Sequence, residues 1–410
     1  MKNILIFLLL AIISFGCIQS GENRDSFKKR DAPFSPNDTL SAHYLHELKY
    51  GKLNASSEKH WDRINNTIHT SGHRGEYERD PNYRTFGWHL YSRGSTYRDY
   101  NFSLLWGVAY FAYIVDPENG SYKNIHQWKT TALIDSAKAY NCNTFLTVAN
   151  FGKENNERFL NNPNAQSTLI DSVIHLLSLR GANGINIDFE SIPTDNKTQF
   201  SAFVRKISQR IKQADPEYMV SICLYAVDYN HIFEITAIDP YIDFYTLMGY
   251  DYYGGFSTNA GPVAPLRKSH NFGENCLESS VGNYIEKGIK PSKLIVGLPY
   301  YGAEWTVTDT TFASKAEKFN DHLSYSTIQE KYSDLSLGRG LFDSIVSSGY
   351  RNMPDNGNHF TQLWFDDSSS LSIKYDWIKR KKLGGVGIWA LGFDNGHPEL
   401  WNLLSEKFGK

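Results

Sequence analysis

The chain has 410 residues, 41% hydrophobic and 21% charged, the balance of a folded globular protein. A formal charge of −2 and the lack of an extended basic stripe exclude a surface built for nucleic acid or anionic membrane. Aromatic residues reach 14%, an excess that suits a core and also suits surfaces that stack on flat ligands such as sugar rings.

The first element is a targeting segment. "MKN" carries the charge, and "ILIFLLLAIISF" is an apolar run too short for a membrane span, so export is expected. "SFGC" ends at Cys17 and resembles the bacterial lipoprotein cleavage site, with Ser14 where an aliphatic residue is usual. Residues 1–17 are read as a lipoprotein-type signal peptide whose Cys17 becomes lipidated. The expected location is the bacterial outer membrane or periplasm, with plain secretion as the alternative. Residues 18–82 are polar, with weak periodicity, and read as a tether and irregular lead-in. His69 and His73 stand four apart, but "HTSGHRGEYERD" is broken by glycine and reads as a solvated loop, not a metal site. The remaining cysteines, Cys142, Cys223 and Cys276, are odd in number and widely spaced, so neither a disulfide framework nor a structural zinc site is expected.

From Arg84 short apolar runs recur between amphipathic stretches. In order they are "TFGWHLYS", "LLWGVAYFAYIVD", "TFLTVANFG", "GINIDFE", "YMVSICLYAVD", "YIDFYTLMGYDYYG", "KLIVGLPYYGAEW" and "GGVGIWALGFD". The spacing predicts helices over 127–140, 164–181, 197–215, 273–290 and 397–408. Strands alternating with helices predict a parallel sheet, and eight such units predict an α/β fold, the closed (β/α)8 TIM barrel. A doubly wound open sheet would carry a Gly-rich phosphate loop after an early strand, and none is found. About 80 residues separate the seventh run from the eighth, more than a compact connection needs. A small α+β insertion is expected there, at 306–368, within a barrel spanning 83–410.

The fourth run sets the chemistry. Ile185, Ile187 and Phe189 alternate with Asn186, Asp188 and Glu190, which is strand periodicity. In a barrel alternate side chains point inward and active sites lie at the C-terminal ends of the strands, so Asp188 and Glu190 belong at a pocket mouth. Two residues apart on one strand, their Cα atoms are about 6.5–7 Å apart on one wall and cannot flank a bond from opposite faces. Glu190, the outer acid, suits a proton donor whose pKa Asp188 raises; the nucleophile would come from the substrate. The bland alternative is two acids solvated at a strand end.

These residues resemble a known family. "NGINIDFE" resembles the Asp-Gly-x-Asp-x-Asp-x-Glu signature of glycoside hydrolase family 18, nearest its di-N-acetylchitobiase and spore-germination hydrolase branch. "LMGYDYYG", "GLPYYGAEW" and "GGVGIWALGFD" resemble the sixth, seventh and eighth strands of that family, in order. Asn183 and Asn186 replace the first two aspartates, and "TVANFG" stands where the family has Ser-x-Gly-Gly. The resemblance implies Glu190 as general acid, Asp188 as acceptor of the substrate's acetamido N–H, and Tyr250, with Asp251 beside it, as donor to the acetamido carbonyl. Trp389 is implied as the floor under the reacting sugar, with Trp88, Met248 and Asn186 as further substrate contacts. It implies a retaining glycosidase of β-1,4-linked N-acetylglucosamine glycans with no cofactor or metal; with the N-terminal segment, the expectation is an exported monomer touching the membrane only through its lipid. The alternatives are a non-catalytic glycan-binding relative and an enzyme directed at peptidoglycan or N-glycans.

Overall fold

A computed structural model describes residues 40–53, 55–69, 76–333, 340–354 and 359–410. The signal segment, Cys17 and His73 lie outside the described residues. Among the described residues no helix is long and apolar enough to cross a membrane.

Eight parallel strands form a barrel: β1 (Arg84–Leu90), β2 (Gly107–Val115), β3 (Asn143–Phe151), β4 (Gly184–Glu190), β5 (Met219–Leu224), β6 (Phe244–Met248), β7 (Leu294–Pro299) and β8 (Gly385–Trp389). Each pairs with the next, and β8 pairs with β1 (Gly387 beside Phe86), which closes the ring. The strands are buried on both faces, so they read as nearly continuous apolar runs. Little side-chain volume is tolerated where β8 passes Trp88: a Cβ on Gly387 would lie 3.2 Å from its indole.

The helices around the barrel follow local signals. Pro163–Arg180 starts on Asn162, whose side chain accepts from the Ala165 amide, with Pro163 at its first position. It stops at Gly181, where φ of +57° suits a residue without Cβ. Lys197–Ala214 buries Phe200, Phe203, Val204, Ile207 and Ile211, a single stripe at helical spacing. The stretch 127–140 is shorter than expected as a helix, Leu133–Lys138 alone. The carbonyls of Trp128 and Thr131, which a longer helix would use internally, accept instead from the Arg180 guanidinium.

Between β7 and β8 the chain builds a separate five-stranded antiparallel sheet. Its order is Ala316–Ser324, Tyr301–Val307, Phe360–Phe365, Ser348–Pro354 and Leu341–Asp343, with a helix at Tyr325–Lys331. It begins at Tyr301, two residues after β7 ends, so no linker precedes it.

The lead-in departs most from expectation. It holds two helices, α1 (Ala42–Tyr50) and α2 (Glu58–Ile64). Ser41 caps α1 by accepting from the Tyr44 amide at 3.0 Å, and Gly51 ends it. Trp61 of α2 is fully buried, so this part of the chain belongs to the folded body and is no tether.

Candidate functional site

Asp188 and Glu190 end β4, Met248 ends β6 with Tyr250 and Asp251 just beyond, and Trp389 ends β8. These six side chains meet at the C-terminal mouth of the barrel. Asp188 is fully buried and Glu190 is 6% exposed. Burial, then the charge of Asp188, push the Glu190 carboxyl well above its ordinary range; a hydrogen bond from Ser41 opposes them, and Asp251 adds a lesser upward push. The upward shift favours the protonated form that a general acid needs. The Tyr250 phenol is also pushed well up, chiefly by burial, which keeps it a donor. Asp251, with φ of +56°, accepts from the Tyr301 hydroxyl at 2.5 Å. A groove of about 540 Å³ opens from this mouth along Tyr225, Met248, Tyr252 and Phe256. A larger cavity of about 670 Å³ lies at the opposite end of the barrel, beside Arg84, Trp106 and Gly384, away from these carboxylates.

Trp88 and Asn186 lie deeper. The Trp88 indole donates to Asn186 Oδ1 at 2.9 Å, and Asn186 Nδ2 donates to Ser221 at 2.9 Å and Thr246 at 3.3 Å. Both residues are fully buried. Asn186, expected as a substrate contact, has its amide engaged by β1, β5 and β6. Trp88 meets Trp389 edge to face at 5.8 Å and backs it from below. Asn183 is structural too, accepting from the Thr144 amide at 2.9 Å.

The residue that sequence reasoning missed is His43 of α1. Its Nδ1 lies 2.7 Å from Asp188 Oδ2 and 3.4 Å from Glu190 Oε1, and its Nε2 lies 2.6 Å from the Tyr250 hydroxyl. Its ring stacks on Trp389, centroids 3.5 Å apart and planes at 20°. Ala42 donates its backbone N–H to Asp251 Oδ2 at 2.7 Å. The available signal was Ser41 and Gly51 framing nine residues as helix caps, but nothing local shows that His43 faces residues 145 and 207 positions away. Among the described residues His43, Asp188 and Glu190 form the one group whose ligand atoms could share a metal, all within 4.8 Å of one another. The 2.7 Å contact is hydrogen-bond spacing; two ligands on a tetrahedral zinc lie about 3.3 Å apart. His69 is engaged by Asp99 and Ser95. Cys142, Cys223 and Cys276 are free and buried.

Residues 86–394 match the model of glycosyl hydrolases family 18. The chain belongs to this family. Among curated proteins, this family 18 chain is 27% identical over 252 residues to the uncharacterized glycosylase YvbX of Bacillus subtilis, covering 60% of this chain and 67% of that protein. It is 24% identical to the putative sporulation-specific glycosylase YdhD of the same organism, covering 62% of this chain and 58% of that protein, less than two thirds of its length. It is 23% identical over 318 residues to human di-N-acetylchitobiase, covering 66% and 81% of the two chains. The barrel superposes on a Cycas revoluta family 18 chitinase in complex with (GlcNAc)3, with TM-score 0.69 and 19% identity over 79% of this chain and 99% of the other. A group II chitinase catalytic domain from Ostrinia furnacalis gives 0.70 and 19% over 80% and 95%. At such identity the structures speak for the fold.

Proposed function

We propose that this family 18 chain is an exported retaining glycosidase of β-1,4-linked N-acetylglucosamine glycans that uses the substrate's own acetamido group as nucleophile. The observation that carries the reading is the buried Glu190, its carboxyl pushed well above the ordinary range, beside Asp188, Tyr250 and Trp389. Glu190 gives its proton to the departing glycosidic oxygen. Asp188 accepts the acetamido N–H, and the Tyr250 hydroxyl donates to the acetamido carbonyl, which holds that oxygen under the anomeric carbon. Trp389 carries the ring of the reacting sugar. A second carboxylate on the far side of the bond is what the two-acid mechanisms need. Asp188 shares a wall with Glu190, and Asp251 is turned to Tyr301 and Ala42, which favours the substrate's oxygen as nucleophile. Family 18 enzymes are an exception to the two-carboxylate rule. The names of the chitobiase and chitinase relatives support an N-acetylglucosamine glycan as substrate. For location, "SFGC" supports cleavage before Cys17 and a lipid anchor, with the catalytic barrel outside the cytoplasm.

The test is hydrolysis of chitooligosaccharides, peptidoglycan and N-glycans, with Glu190→Gln as control. Cleavage of the first by the native chain, and a loss of about 10²–10⁴-fold in the variant with binding kept, is the expected outcome. Full activity in Glu190→Gln would sink the assignment.

A further inference from the structure

His43 offers Asp188, Tyr250 and Trp389 what an N-acetylhexosamine would offer them. With the proton on Nδ1, the ring donates to the Asp188 carboxylate, as an acetamido N–H would, and accepts at Nε2 from the Tyr250 hydroxyl, as an acetamido carbonyl would. Its flat face covers Trp389 at 3.5 Å. Carbon atoms in contact sit about 3.5–4.0 Å apart, so no sugar ring fits between histidine and indole. The rest of the segment docks on the same site. Ala42 satisfies Asp251, the Ser41 hydroxyl bonds Glu190, and Tyr44 stacks on Phe151 with planes at 7°. Beyond, His46 is buried against Tyr91 and Phe111, and Tyr50 meets Trp61 of α2. The fit leaves a gap: Glu190 Oε1 is buried without a hydrogen-bond partner among the described residues. A glycosidic oxygen would take up that carboxyl in a hydrogen bond, which His43 Nδ1, 3.4 Å away and bonded to Asp188, does not form. The groove along Tyr225, Met248, Tyr252 and Phe256 stays open beside Ser41 and Tyr44.

We propose that Ser41–Tyr50 is a built-in competitor for the reacting-sugar site: His43 occupies the ground of the acetamido group and ring, and glycan enters only when α1 withdraws. This rests on the proposed function, since the mimicry is of an N-acetylated sugar. A protein whose competent state is a fraction f of the whole binds with its affinity reduced by f, so a segment docked nine-tenths of the time weakens binding about tenfold.

The test uses the full chain with His43→Ala and, separately, Tyr44→Ala, which loosens the helix and spares the histidine. Binding of chitotriose and of an N-acetylglucosamine thiazoline is measured by calorimetry, turnover of chitooligosaccharide is followed, and thermal melting reports folding. The expected result is about tenfold or greater tightening of both ligands in both variants, with KM lowered and kcat little changed. Tighter binding with no hydrolysis in any form would uphold the competitor and sink the hydrolase reading. Hydrolysis by the native chain with binding unchanged or weakened in both variants would do the reverse, making His43 a fixed wall of the site. Absence of binding in every folded form would overturn the proposal as well. Should His43→Ala fail to fold, Tyr44→Ala decides alone.

Discussion

The Glu190 carboxyl is pushed upward by three causes that can be separated: burial, the charge of Asp188 and the charge of Asp251. A general acid works in its protonated form, so turnover should fall as pH rises through the Glu190 pKa, above the ordinary carboxylate range. Asp188→Asn removes the second of those causes and leaves the first. Its pH–rate profile should therefore show the alkaline limb displaced toward acid, along with a loss of kcat from weaker acetamido positioning. An unmoved limb would mean that some other group carries the proton. Asp188 and Glu190 were legible in the sequence because a strand alternates strictly, and alternation tells which side of the strand a residue faces. It does not tell depth. Asn186 lies on the same side, yet sits a layer lower, where Trp88, Ser221 and Thr246 consume its amide. His43 was illegible for another reason: its partners come from β4 and β6, and no local pattern encodes a contact across that much chain.

The helix α1 shows how a short element can hide in a polar stretch. Its caps are ordinary, but two of the three residues it buries are histidines, which periodicity counts as polar. Two of its groups tie its docking to pH in opposite senses. Burial raises the Glu47 carboxyl to about 7, with the Tyr91 hydroxyl donating to it at 3.0 Å. Burial, with His126, His43, Arg93 and Lys49 nearby, holds His46 well below its usual value. The docked helix keeps a proton on Glu47 that a free one sheds near pH 4.5, so this contribution weakens between about pH 4.5 and 7. The docked helix refuses a proton on His46 that a free one takes below about 6.5, so that contribution weakens as pH falls from there. Glu47→Gln removes the first effect and keeps an acceptor for Tyr91. The variant should melt higher than the native chain at pH 8, with the difference shrinking toward zero near pH 4. Equal melting curves at pH 8 would show that the helix does not hold Glu47 in the docked form.

At the scale of the whole molecule, the barrel was legible because eight apolar runs separated by helical stretches have few architectures open to them, and the excess of chain before β8 marked where something extra stands. The insertion's starting edge was harder to read. Tyr301–Val307 continues the apolar run of β7 with Pro299 as the one break before it, although it pairs with Ala316–Ser324 and Phe360–Phe365 in another sheet. Closure of the ring is what brings β4, β6 and β8 to one mouth, and it sets the final prediction. If Asp188 and Tyr250 hold an acetamido group under the anomeric carbon, that group attacks as the bond to the leaving sugar breaks with the Glu190 proton. A cyclic oxazolinium forms, and water then opens it from the opposite face. Two inversions return the β configuration, so proton NMR of the first product should show the β-anomer before mutarotation mixes the two. A sugar with a free amine at the reacting position offers no carbonyl oxygen, so partly deacetylated chains should be cut only after N-acetylated units. Positioning of this kind is worth up to about 7–11 kcal/mol through effective molarity, so its loss should abolish measurable cleavage there. The α-anomer appearing first, or efficient cutting after a deacetylated unit, would refute the acetamido nucleophile even if the protein hydrolyses glycans.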